Sequence, residues 1–306
     1  MNTFYDKSGA SALLERRITE ASRSRSEDSV QRLWDIRADA FETFAVSEPP
    51  SYRLKDAGST EAEEVTFRVR GILCQKLLPP IFQVRNINSV AFLRQTVQLV
   101  SFMPGSHFEK YYESMAGVTK VLQDSIPAKV HPPATQQYEG QKSLVISNPY
   151  FSRRRHTSGM ESIPLGDVVD PTGYLSRSQP QNFHHTMDNQ VVYLKEHLEN
   201  ETVKFKTQRP EGFENGDIVE AQFSFVVFPT GKTGDEFQIR MCLRALVLLD
   251  DTFRRASLMT KPTYGQVKPT VVALKRKVVY SYRDDEEMDA ESLSGRMEGK
   301  RFCIDE

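Results

Sequence analysis

The chain has 306 residues, 39% of them hydrophobic, enough to bury one large core or two ordinary ones, which excludes a disordered protein. Forty Lys and Arg stand against 41 Asp and Glu, a formal net charge of −1, so no overall field draws the molecule to nucleic acid or to an anionic membrane. The three scattered cysteines, Cys74, Cys242 and Cys303, exclude a disulfide framework, and no run approaches the roughly 18 apolar residues that span a bilayer.

The N-terminus, MNTFYDKSGASALLERR, carries charges where a signal peptide needs an apolar stretch, so the sequence reads as soluble and intracellular, nuclear or cytoplasmic, with no membrane association. Gly9 to Ser22 is expected as a polar helix. From Ser29 to Val46 the apolar residues Val30, Leu33, Trp34, Phe41 and Phe44 return at helical steps and predict a second helix, ended by Pro49 and Pro50. Residues 1–50 are thus expected as a helical segment.

Residues 51–130 read as a mixed region. EVTFRVRGIL (Glu64 to Leu73) alternates Val65, Phe67 and Val69 with Thr66, Arg68 and Arg70, a strand with one wet face. Val90 to Met103 suits a buried strand or a short helix. Phe108, Tyr111, Tyr112, Met115, Val118, Leu122 and Ile126 form a helical stripe, with Ser106 and Glu109 spaced as a capping box. Between Pro127 and Pro180 the sequence is rich in Pro, Ser, Gly and Gln. Only SLVI (Ser143 to Ile146) resembles a strand, so residues 131–180 are expected as a linker or long surface loop.

Residues 181–283 are strand-rich: NQVVYL, VKFK, a long hairpin, a short helix over Thr252 to Met259, and TVVALKRKVVYSY. In the hairpin Val219, Ala221, Phe223, Phe225 and Val227 on one arm, and Phe237, Ile239, Met241, Leu243, Ala245 and Val247 on the other, are expected to face one core. On the opposite face a parity-preserving register places Glu220 near Arg244, a contact worth roughly 0.2 to 1 kcal/mol. PTGKTGD is the turn, with Gly231 and Gly234 free to take positive φ. Its GKT is not a phosphate-binding loop: the glycine required five residues upstream is Val226, and a strand, not a helix, follows Lys232. The acidic tail over residues 284–306 is expected to be mobile. The fold class predicted is α+β, N-terminal helices followed by a C-terminal antiparallel barrel of the OB type or a β-sandwich.

Signs of catalysis are sparse. His184, His185 and Asp188 lie close together, but the sequence lacks HxD, CxxC, HExxH and GxSxG, and His185, Thr186 and Asp188 suit a turn. Asp250 and Asp251 resemble a place for Mg²⁺, yet suit capping the helix that follows. No cofactor or metal is expected. Candidate nucleic-acid contacts are Arg153, Arg154 and Arg155 beside Tyr150 and Phe151, Arg240 and Arg244 on the hairpin face, Arg254 and Arg255 after it, and Lys275, Arg276 and Lys277 with Tyr280 and Tyr282. Basic residues beside aromatic rings are what single-strand binding requires, charge on phosphate and rings on bases.

HTMDNQVVYL, FENGDIVEAQFSFVVFP and IRMCLRALVLLDD together resemble proteins encoded in many copies in mushroom-forming fungi, which show HTxDNxVxY, GDIVExQxSF and LRxLxLLD in that order. The resemblance spans residues 170–251 and implies intracellular fungal origin and association with mobile elements. It carries no activity. The function expected is a non-enzymatic protein binding single-stranded DNA or RNA. The alternative is a protein-interaction or self-assembly module using its N-terminal helices and acidic tail, and third comes a metal- or phosphate-dependent enzyme.

Overall fold

The computed structural model describes residues 1–23, 30–199, 202–230 and 235–259. Helix α1 (Lys7–Arg23) forms where the sequence placed it, and Ala10, Leu14 and Ile18, four residues apart, are fully buried. The second expected helix does not form. Instead β1 (Gln31–Arg32) leads through two single 3-10 turns to β2 (Phe41–Ser47), antiparallel to β3 (Pro50–Asp56). The helical spacing arises only by counting across DIRADA, residues 35–40; beyond it, pairing with β3 overrides the local period. Pro49 and Pro50 lie at that hairpin turn rather than at a helix end.

Strand β4 (Phe67–Leu77) keeps the predicted alternation, with Phe67 and Val69 fully buried. The ambiguous stretch divides into a 3-10 turn at Ile87–Phe92 and strand β5 (Arg94–Val100). Helix α2 (His107–Ser125) buries Phe108, Tyr111, Met115, Val118 and Leu122. Ser106 caps it by accepting from the Phe108 N–H, while Glu109 accepts from Gly105 instead of closing a reciprocal box with Ser106. α2 approaches the sheet closely at Gly71, where a Cβ would meet Leu99 at 2.9 Å and Phe108 at 3.1 Å.

The expected linker is instead part of the fold. It supplies β6 (Lys129–His131), β7 (Gln136–Tyr138), β8 (Gln141–Pro149), β9 (Ser152–Arg153) and the short helix α3 (Tyr174–Arg177). β8 lies inside the sheet between β5 and β7. The irregular remainder folds around a second apolar cluster of Val90, Tyr150, Phe151, Leu165 and Leu175. Single apolar residues spread over a polar sequence anchor these loops, and periodicity cannot register them. Strand β10 (Phe183–His184) pairs with β9, and β11 (Val192–Glu199) with β12 (Thr202–Thr207).

The hairpin is β13 (Ile218–Thr230) and β14 (Glu236–Asp250), followed by α4 (Thr252–Met259). Val219, Ala221, Phe223, Phe225 and Val227 are buried, as are Ile239, Met241 and Leu243 opposite them. Phe223 and Phe225 pack edge-on at 5.2 Å, and Phe67 meets Phe225 at 5.2 Å. The predicted register fails at one point. Gln222 faces Ala245 while Phe223 faces Leu243, so Arg244 is an extra residue in a bulge. Beyond it Leu246 and Leu248 share the face of Ala221 and Val219, and Ala245 and Val247 turn to the other side. Glu220 accordingly pairs with Arg70 at 2.9 Å, not with Arg244.

One twelve-stranded sheet has the order β12-β11-β14-β13-β4-β5-β8-β7, with β1, β2, β3 and β6 branching from it. The α+β class holds, but the sheet is not closed into a barrel. Its long strands fork. β13 pairs with β4 over its first half and with β3 at Val226 and Val227, so the C-terminal strands share their sheet with the N-terminal half. β14 pairs with β11 over Ala245–Leu248 and with β6 over Glu236–Gln238, so that among the described strands residues 239–244 pair with β13 alone. α1 packs on β4, and α2 on β2 and the turn after β1. Met1–Pro262 clusters as one compact unit. Among the described residues no helix is long and apolar enough to cross a membrane. The GKT turn, the strand expected over residues 270–282 with Lys275, Lys277 and Tyr280, and the acidic tail lie outside the described residues.

A candidate cleft lined by arginine and phenylalanine

The half-paired stretch of β14 borders a cleft of about 760 Å³, within the range of ligand sites. β14 contributes Arg240 and Cys242, and β13 contributes Phe228 on the same face two residues from Arg240 in register. Arg240 lies over the Phe228 ring, 5.5 Å from its centroid. Arg94 enters from the start of β5, opposite Pro149 at the end of β8. β9 and the 3-10 turn after it bring Arg153, Arg155 and His156, and β10 brings Phe183. A second depression of about 420 Å³ shares Phe92, Arg153, Arg155 and Phe183 with the first and adds Arg154. The two form a continuous basic track.

Each arginine here is oriented by something other than a carboxylate. Arg94 donates from Nε to Ser147 Oγ at 2.9 Å and from Nη2 to the Ser147 carbonyl at 3.3 Å. Arg153 lies over Phe183 at 5.6 Å, and Phe183 meets the exposed Phe92 edge-on at 6.1 Å. Arg154 donates to the Gln181 carbonyl and Arg155 to His156 Nε2. Burial, with Arg240 nearby, lowers the pKa of Arg94, and burial followed by Arg155 and Arg153 lowers that of His156. Among the described residues, none of Arg94, Arg153, Arg154, Arg155 or Arg240 has an ion-pair partner.

The cleft's one carboxylate, Asp188, is already engaged. Arg53 lies 3.2 Å from Glu64 and 2.9 Å from Asp188, and Arg244 lies 2.8 Å from Glu64 and 3.1 Å from Asp188, a closed ring of alternating charge. Burial works to raise the Asp188 pKa, but Arg244 and Arg53 outweigh it and hold the carboxyl below its ordinary range. The same carboxylates raise Arg244 against the effect of burial.

Of the sequence candidates, Arg153, Arg154, Arg155 and Arg240 therefore come together at one opening. Arg244 does not join them, because Glu64 and Asp188 hold its guanidinium in the buried ring. Arg254 is bound to the fully buried Asp217 at 2.5 Å, tying α4 to the start of β13, and Arg255 to Asp251 at 2.6 Å within the first turn of α4. Tyr150 and Phe151 are buried in the second apolar cluster and offer no stacking surface; Phe92, Phe183 and Phe228 take that place. Sequence reasoning missed these rings and Arg94, although Phe228 shares the even parity of Arg240 and so was legible from the alternation.

The supposed metal cluster is structural. His184 Nε2 meets Thr157 Oγ1 at 2.5 Å, and His185 Nδ1 the Tyr150 carbonyl at 2.7 Å. Thr186 and Asn189 close a reciprocal cap on the turn that carries Asp188. Among the described residues no three His, Cys, Asp or Glu converge as metal ligands. Asp250 accepts from the backbone and hydroxyl of Thr252 at the start of α4. Comparison with protein-family models, curated proteins and solved structures finds no match to this chain.

Proposed function

We propose that this cleft binds single-stranded nucleic acid. The observation that carries the reading is the gathering of five arginines without carboxylate partners around an opening walled by Phe92, Phe183 and Phe228. Unpaired guanidinium groups held close together repel one another, and a polyanion relieves that repulsion while releasing counterions. Aromatic faces beside the charges give bases a stacking surface, worth about 1–3 kcal/mol per base and indifferent to sequence. With a formal net charge of −1 no overall field assists, so the attraction must come from a local patch such as this track. The self-assembly alternative loses part of its support, since one expected helix is a strand and α1 turns its apolar stripe into the core.

Fluorescence anisotropy with a labelled single-stranded oligonucleotide at low and moderate salt tests the reading. Binding that weakens with salt, and weakens further in Arg240→Gln and Phe183→Ala, supports it. Absence of binding at low salt, or binding indifferent to salt, removes it.

A further inference from the structure

Resting on that reading, we infer that the inner part of the cleft, between Arg94 and Arg240, is a seat for a terminal phosphomonoester, so that the protein favours a phosphorylated strand end over an internal diester. The cleft is not uniform along its length. Arg153, Arg154 and Arg155 stand exposed at the outer depression with Phe92 and Phe183, as suits successive diesters and bases passing over a surface. Arg94 is different. It is half-buried, and Ser147 holds two of its nitrogens, leaving the rest of the guanidinium fork to face a ligand in a fixed orientation.

The side-chain amides of the cleft are already in use. Asn148 donates to the Asp188 carbonyl, Asn189 to Ser152, and both Asp188 oxygens are bound by arginine. Arg94 and Arg240 supply two units of free positive charge there, and Arg153 and Arg155 line the same cleft. An internal diester carries one negative charge, whereas a terminal phosphate carries about 1.5 to 2 at neutral pH with three strong acceptor oxygens. The better charge match, made beside the half-buried Arg94, favours the monoester. Burial is the main cause that lowers the Arg94 pKa, and the neighbouring Arg240 adds to it. The same chemistry is offered by two sources, a strand end or a free nucleoside monophosphate, and the outer aromatic track favours the first.

The test is competition titration of the full chain with one oligonucleotide sequence in four forms: 5′-phosphorylated, 3′-phosphorylated, without terminal phosphate, and circular. Nucleoside monophosphate and inorganic phosphate serve as separate competitors. The seat predicts that one phosphorylated end binds about tenfold more tightly than the unphosphorylated form, the gain of a charge-assisted contact. Arg240→Gln, an exposed position, and Arg94→Gln should each erase that preference, whereas Arg209→Gln, outside the cleft lining and 80% exposed, should keep it. Equal binding of all four forms overturns the seat and leaves the single-strand reading standing. Binding of the monophosphate together with failure of all four oligonucleotide forms to bind overturns the single-strand reading and keeps the seat. No binding of any ligand overturns both.

Discussion

Two arginines four residues apart on β14 show how one side chain's surroundings decide its work. Arg240 stands exposed on an aromatic ring, and Arg244 closes a ring of buried charges. Removing one partner from a buried ion network strands the remaining charges, so Arg244→Ala should cost about 3–5 kcal/mol in urea unfolding. Arg240→Ala should stay within about 1 kcal/mol of the parent, the value of an exposed cation–π contact, while weakening oligonucleotide binding. Sequence alone ranked the two alike because both fall on even positions. His156 offers a further check. Its pKa is held below the ordinary 6.5, so it is neutral at pH 7 in the free protein. Protonation adds positive charge to the cleft, and a bound anion raises the pKa. Affinity measured from pH 8 to 5 should therefore rise below about 6.5, and His156→Gln should flatten the curve.

At the scale of elements, periodicity found those whose burial is one-sided. α2 and the outer half of the hairpin match expectation because a single face is apolar and either slip would expose it. Ser106→Ala, which deletes the hydroxyl that accepts from Phe108, should cost about 1 kcal/mol and lower the melting temperature by a few degrees. Phe67→Ala, which opens the cluster shared with Phe41, Phe223 and Phe225, should cost about 3–5 kcal/mol. β2 and residues 127–180 were misread for a different reason. Their order comes from pairing with chain distant in sequence: β2 and β3 join the sheet through β13, and β8 through β5. The local pattern holds no trace of those partners.

For the whole molecule, the class was legible and the division into domains was not, since β13 binds strands from the N-terminal half along its length. The cleft was legible as separate basic clusters but not as one place, because its arginines come from β5, β9 and β14. Stability should carry the mark of two buried imidazoles. Burial is the main cause that lowers His184, with Arg154 second, and burial likewise lowers His185 despite its bond to Tyr150. Unfolded, both take up protons near pH 6.5; folded, they resist until a lower pH, so the unfolded chain binds more protons in between. Urea midpoints should hold above pH 7 and fall between pH 6.5 and 5, and His185→Asn should reduce that fall.

The bulge at Arg244 has a bearing on how the gene tolerates length changes. Ala245 to Leu249 are apolar at every position and all buried, so that run packs in either phase, and an inserted or deleted residue just before it need not put oil against water. The present half-step is fixed by what lies on either side of the run: β11 pairs with Ala245–Leu248, and Glu64 and Asp188 grip the guanidinium of Arg244 just before it.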